Sequence, residues 1–205
     1  MSTIAGMSLL FIVFLGGLAV MIWVDRKKVY ILPSKLNHDD GGQESSEGNT
    51  SAEYKANTKN GDLIVNVSAD GNGTASAWAA VGYEQENVTI DDGMMLAHLT
   101  FKYRIKLNTD NGSSPVNAKI EAFLNSESAS FTEKSLTAPP GADKKSSDEF
   151  VTGTQTVKTN LNLGEKFTIY LKVSLDAEAG DGGKCSGEIV ATVSEIFFRP
   201  EIKPF

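Results

Sequence analysis

The chain has 205 residues, a formal net charge of −7 and one cysteine, Cys185. The acidic balance excludes non-specific nucleic-acid binding, which needs a surplus of Lys and Arg to meet the phosphate backbone, and a lone cysteine excludes an intramolecular disulfide. The first sixty residues read as anchor and tether, so about 145 remain to pack one compact domain.

Residues 1–3 form a short tail, and Ile4–Val24 is a run of 21 residues without a charge, carrying Ile4, Leu9, Phe14 and Val20. At a rise of about 1.5 Å per residue such a helix spans about 30 Å, the thickness of a bilayer core. Trp23 sits where an interfacial aromatic belt falls, and Asp25, Arg26, Lys27 and Lys28 end the apolar run, opening a juxtamembrane basic segment over 25–33. No basic n-region or small-residue cleavage site precedes Val24, so the segment reads as a retained signal-anchor in a single-pass protein whose first partner is the lipid bilayer. Lys and Arg lie only on the C-terminal side, which by the positive-inside rule places the domain in the cytoplasm. Five Asn-x-Ser/Thr sequons, at Asn49, Asn66, Asn72, Asn87 and Asn111, point the other way as candidate glycosylation sites. The expectation leans towards an extracytoplasmic domain.

Residues 34–60 are almost without apolar side chains, Leu36 and Tyr54 excepted, and read as a flexible polar linker of about 30 Å root-mean-square reach. His38, Asp39 and Asp40 on such a segment read as solvated charge, since a metal needs fixed ligands.

Over 61–205 the dominant signal is period-two alternation. Met95, Ala97, Leu99, Phe101, Tyr103, Ile105 and Leu107 share one face of a long strand, with His98, Thr100, Lys102, Arg104 and Lys106 on the other. Lys166–Glu178 repeats the pattern, and its Gly-Glu-Lys-Phe-Thr opening looks like that of many secreted or surface-displayed sandwiches. The Ala179–Lys184 turn leads to a strand over Cys185–Phe198, predicting a hairpin, and Asp70-Gly71-Asn72-Gly73 predicts another between Leu63–Ser68 and the small-residue strand Ala75–Gly82. Shorter strands are expected over 116–124, 128–137 and 150–159, with a brief one over 88–90. About eight strands without a competing helix indicate an all-β antiparallel sandwich or jelly roll.

Chemistry is sparse. His98 is the only histidine after the linker, which leaves too few ligands for a copper or zinc site and no imidazole partner for a nucleophile, and no G-x-S-x-G elbow is present. No cofactor and no enzymatic activity are expected. Calcium is the one ion with candidate donors, in turns at Asp70, Asp91–Asp92 and Asp176 with Asp181, although the Asp-x-Asp-x-Asp-Gly loop is missing. Trp78, Tyr83 and Tyr103 are candidates for a sugar-stacking surface, with Trp78 expected in the core. The tail ends in Ile202 and Phe205 beside Pro200 and Pro204, which suits docking on a partner. The expected function is therefore a membrane-anchored structural or interaction protein, an accessory or assembly subunit of a membrane, surface or virion complex. Its partners would be other proteins of that assembly. The alternative is a membrane-tethered carbohydrate-binding or adhesion module.

Overall fold

In a computed structural model, the structure describes residues 29–31, 33–46, 49–85, 93–110, 115–125, 127–136, 145–161 and 166–200. The anchor residues Ile4 to Lys28, the strand expected over 88–90, Asp91, Asp92, Asn87, Asn111, Ile202 and Phe205 lie outside them. Among the described residues no helix is long and apolar enough to cross a membrane.

The described strands are β1 (Val29–Ile31), β2 (His38–Ser45), β3 (Ser51–Asn57), β4 (Asp62–Asp70), β5 (Thr74–Gln85), β6 (Gly93–Asp110), β7 (Val116–Leu124), β8 (Glu127–Leu136), β9 (Lys145–Leu161), β10 (Phe167–Glu178) and β11 (Lys184–Pro200). They form two antiparallel sheets. The first has the order β3-β4-β11-β6-β9, with β1 added along β11, and the second has the order β2-β5-β10-β7-β8. From β4 to β11 every connection crosses between sheets except β7 to β8, the connectivity of two interlocked Greek keys in a jelly roll. These eight strands are the ones the alternation marks.

Alternation decides the core. Leu63, Val65, Leu99, Phe101, Ile105 and Ile189 of the first sheet face Ile120, Leu124, Ile169, Leu171 and Val173 of the second, all fully buried. Lys102 on the opposite face of β6 is exposed. The alanines of β5, Ala75, Ala77 and Ala79, are buried in the same cluster and leave room for bulkier neighbours.

Two expectations are corrected here. First, both expected hairpins are crossings between sheets. β4 pairs with β11 and β5 with β10, while β10 and β11 lie in different layers. Period-two patterning shows which side chains face inward and is silent on which sheet a strand joins. The two corners support each other: Gly71 N–H donates to Gly183 O (3.0 Å), Ala179 N–H to Gly73 O (2.8 Å), and the Asn72 amide to Asp181.

Second, the linker over 34–60 is largely ordered sheet. β2 pairs with β5 from His38↔Gly82 to Ser45↔Ala75, and β3 pairs with β4 from Ser51↔Ser68 to Asn57↔Asp62. Ahead of them β1, inside the expected juxtamembrane segment, pairs with β11 as Val29↔Phe198 to Ile31↔Ile196. Composition misleads because an edge strand is held by ladder hydrogen bonds on one side and needs few apolar side chains. Leu36 and Ala52 supply those few, buried against the core, and Asp39, Asp40, Glu44 and Glu53 keep the edges charged.

Candidate functional site

The outer face of the second sheet carries the least ordinary surface among the described residues. Outward positions there meet in rows across the sheet. One row runs His38, Gly82, Tyr170 and Phe123; the next Asp40, Ala80, Lys172 and Glu121; the third Gly42, Trp78, Ser174 and Lys119. A fourth holds Glu44, Ser76, Asp176 and Asn117.

In the first row Tyr170 and Phe123 stack, with ring centroids 4.8 Å apart and planes within 8°. They stand side by side as a two-ring ridge. His38 approaches the other side of Tyr170 at 5.4 Å. Gly82 makes this possible, because a Cβ there would strike the Ile169 carbonyl and come within 2.5 Å of the Tyr170 Cα. Two rows further along β10, about 13 Å at the strand rise, the Trp78 indole lies over Gly42, where a Cβ would sit 2.7 Å from its Nε1. Lys172 Nζ lies 4.4 Å from the ring centroid of Trp78, a cation–π contact.

Charge is arranged between and around these aromatics. Glu84, at the end near Tyr170, pairs with Lys166 at 2.8 Å and lies 3.8 Å from His38 Nδ1. The hydrogen bond from Lys166 holds the Glu84 carboxyl below its ordinary range against some desolvation. Lys119 pairs with Glu121 at 2.9 Å. Burial raises the Tyr170 phenol, and the charges of Asp40 and Glu121 add to the shift. Burial also raises the Asp176 carboxyl, partly offset by Lys172. Beyond Asp176 the face ends in a cleft of about 420 Å³ lined by Glu44, Ser46, Thr74, Ser76, Asn117 and Glu178. The arrangement offers apolar ring surface and hydroxyl and carboxylate hydrogen-bonding groups, and at its Glu84 end the Thr168 hydroxyl donates to the Glu84 carboxylate at 3.3 Å.

The structure distributes the other sequence candidates over both sheets. Trp78 is corrected from core to the outer face: Ala80 beside it is buried between Asp40 and Lys172, so both faces of β5 read as small and apolar. Tyr103 is buried in the core and Tyr83 packs against it, so neither joins Trp78. Tyr170, Phe123 and His38 join the face without having been expected there, although outward aromatics on alternating strands are a signal that could have found them. His98 lies on the outer face of the first sheet, stacked on Phe197 at 4.3 Å. His38 and Asp40 share a face while Asp39 points to the other, and among the described residues no group of three His, Cys, Asp or Glu could hold a metal. Of the calcium candidates, Asp70 is paired with Lys184 at 2.8 Å, Asp181 accepts from Asn72, and Asp176 sits apart on β10. Among the sequons Asn49 is exposed, Asn66 lies mid-strand in β4, and Asn72 spends its amide on Asp181.

No protein-family profile matches the chain, and no curated protein matches it. Among solved structures it is similar to the family 11 carbohydrate-binding module of Clostridium thermocellum in complex with a β-1,3-1,4-mixed-linked tetrasaccharide, at 14% identity and a TM-score of 0.23, covering 83% of this chain and 97% of that one. The C-terminal family 6 carbohydrate-binding module of a marine laminarinase from Zobellia galactanivorans gives 14% identity and a TM-score of 0.23 over 84% and 99% of the two chains. The enzymatically active domain of tailspike protein 4 from bacteriophage CBA120 gives 9% identity and a TM-score of 0.25 over 76% of this chain, which spans 19% of that one. Likeness at this level reaches neither ligand nor residue roles.

Proposed function

We propose that this chain is a membrane-anchored carbohydrate-binding or adhesion module whose ligand face is the outer face of the second sheet. One observation carries the reading: two half-buried aromatic stations, the Tyr170–Phe123 ridge and Trp78, lie on one outward face about 13 Å apart, with Lys172, Glu121, Asp40 and Ser174 between and beside them. Sugar rings present apolar C–H faces and a rim of hydroxyls that both donate and accept. Rigid aromatics meet the first at little entropic cost and charged or hydroxyl side chains the second. A chain of sugars lying along β10 would touch both stations and end in the cleft beside Asp176.

A ring that stacks on Trp78 displaces the Lys172 ammonium from it. The reading is one of binding, and the anchor at Ile4–Val24 supplies a two-dimensional address.

The test is a glycan array probed with the full chain in mild detergent. Tyr170→Ala and Trp78→Ala should each weaken binding to the captured oligosaccharides about 5- to 30-fold, as expected for about 1–2 kcal/mol per aromatic contact, with the fold retained and melting lowered by only a few degrees. Binding that survives both substitutions, or no binding by the parent chain, defeats the reading.

A further inference from the structure

We infer that the jelly roll stands on the bilayer by its β1 end, in a fixed orientation, with the two inter-sheet corners and the cleft at Asp176 pointing away from the membrane. The inference rests on the anchored part of the proposed function and is independent of what the ligand face binds.

β1 ties the start of the domain to the sheet. Val29–Ile31 is laddered to Ile196–Phe198, the closing residues of β11. The segment after β1 is clamped as well. A 3-10 turn at Pro33–Lys35 delivers Leu36 into the core, where it is 7% exposed. The Asn37 side chain then mimics a strand residue: its Nδ2 donates to Glu84 O at 2.8 Å, and Glu84 N–H donates to its Oδ1 at 2.7 Å. Among the described residues the sheet starts at Val29, five residues after Val24, where the apolar run ends. Five residues reach at most about 18 Å fully extended, and headgroups occupy about 5–8 Å on each side of the hydrocarbon core. The β1 end of the sandwich is thereby confined to the headgroup boundary.

Strand direction fixes the rest. β11 runs from Ile196 beside β1 back to Lys184 at the corners, 12 residues, or about 40 Å along the strand. Glu178, Thr74 and Ser45, at the cleft, lie at that same far end, because Glu178 pairs with Thr74 and Ser45 with Ala75. Arg26, Lys27 and Lys28, between the apolar run and β1, carry the charge that suits anionic headgroups, at about 1 kcal/mol per residue near the surface. The partner is the lipid surface, and the surface meeting it is the end bearing β1 and the Pro33–Lys35 turn.

The test is energy transfer to dye-labelled lipid headgroups from the full chain reconstituted in vesicles. Single labels go at Lys35→Cys and Asn49→Cys in a Cys185→Ala background, with melting checked for each. Lys35 is exposed beside β1, and Asn49 is exposed at the far end between β2 and β3. Transfer should be strong from position 35 and several-fold weaker from position 49. Inserting about 20 Gly/Ser residues between Lys28 and Val29 should make the two equal by freeing the domain. Equal transfer without the insertion, or stronger transfer from position 49, overturns the orientation while leaving the anchor intact. Failure of the parent chain to float with the vesicles overturns the anchor itself.

Discussion

Whether residues 34–60 belong to the folded unit can be tested at Leu36 and Asn37. Leu36 is 7% exposed, and its side chain reaches the core beside Gly61, so truncation removes a buried isobutyl group at the rim of the sandwich. Leu-to-Ala changes cost about 2–5 kcal/mol, and a rim position that can partly collapse belongs near the low end, about 2–3 kcal/mol. Asn37→Ala removes the two bonds to the Glu84 backbone, of 2.8 and 2.7 Å, for about 1–2 kcal/mol. For a domain of this size each kcal/mol moves the melting temperature by about 2–4 °C. The pair together, at about 3–5 kcal/mol, should lower it by about 6–20 °C, while exposed Lys35→Ala leaves it unchanged. The assay is thermal melting by circular dichroism alongside limited proteolysis of the full chain. The parent should resist cutting between His38 and Asn57, and the double variant should be cut there well below its melting temperature. Rapid cleavage of the parent in that segment, or an unshifted double variant, would refute the reasoning and restore the free linker.

Phe101→Ala, at a fully buried position, should cost about 3–5 kcal/mol in urea unfolding, and Lys102→Ala on the exposed face less than about 0.5; equal effects would place the register one residue off. The Asp176 carboxyl, on an exposed residue at the edge of the cleft, is raised by partial desolvation, so its charged form is mildly disfavoured in the folded state. The ionised carboxylate therefore weakens folding above the ordinary carboxylate range, and the penalty vanishes as pH falls below it, where both states are protonated. Asp176→Asn should raise the melting temperature at pH 7 and make no difference at pH 3; a lower melting temperature at pH 7 contradicts this. Cys185 is buried and its thiol is raised by burial, so thiol reagents should react with it only on unfolding; labelling of the native chain at the rate of a free thiol would contradict its placement.

The long strands were legible because a sandwich writes its inner face into every second residue, as Leu99 to Leu107 and Phe167 to Leu175 show. Layer assignment was not, because the Gly71–Gly73 and Ala179–Gly183 segments have hairpin composition while spanning the gap between sheets. β2 was hidden for another reason. It contributes backbone to the ladder with β5, and Gly41 and Gly42 bear no side chain where Tyr54 and Trp78 pass over it, so nothing apolar marks it. The proposed ligand face was scarcely legible. Trp78 stood out as an aromatic but was expected in the core, and the row that joins His38, Tyr170 and Phe123 exists only through the pairing of β2, β5, β10 and β7.

The central claim, that the outer face of the second sheet is the ligand face, is tested most directly by mapping backbone amide shifts while an oligosaccharide captured on the array is titrated in. The account predicts that the shifted amides cluster along β5, β10 and β7 around Trp78, Tyr170 and Phe123, leaving Asn66, Lys106 and Glu188 on the outer face of the first sheet unmoved. Shifts centred on those first-sheet residues would contradict it.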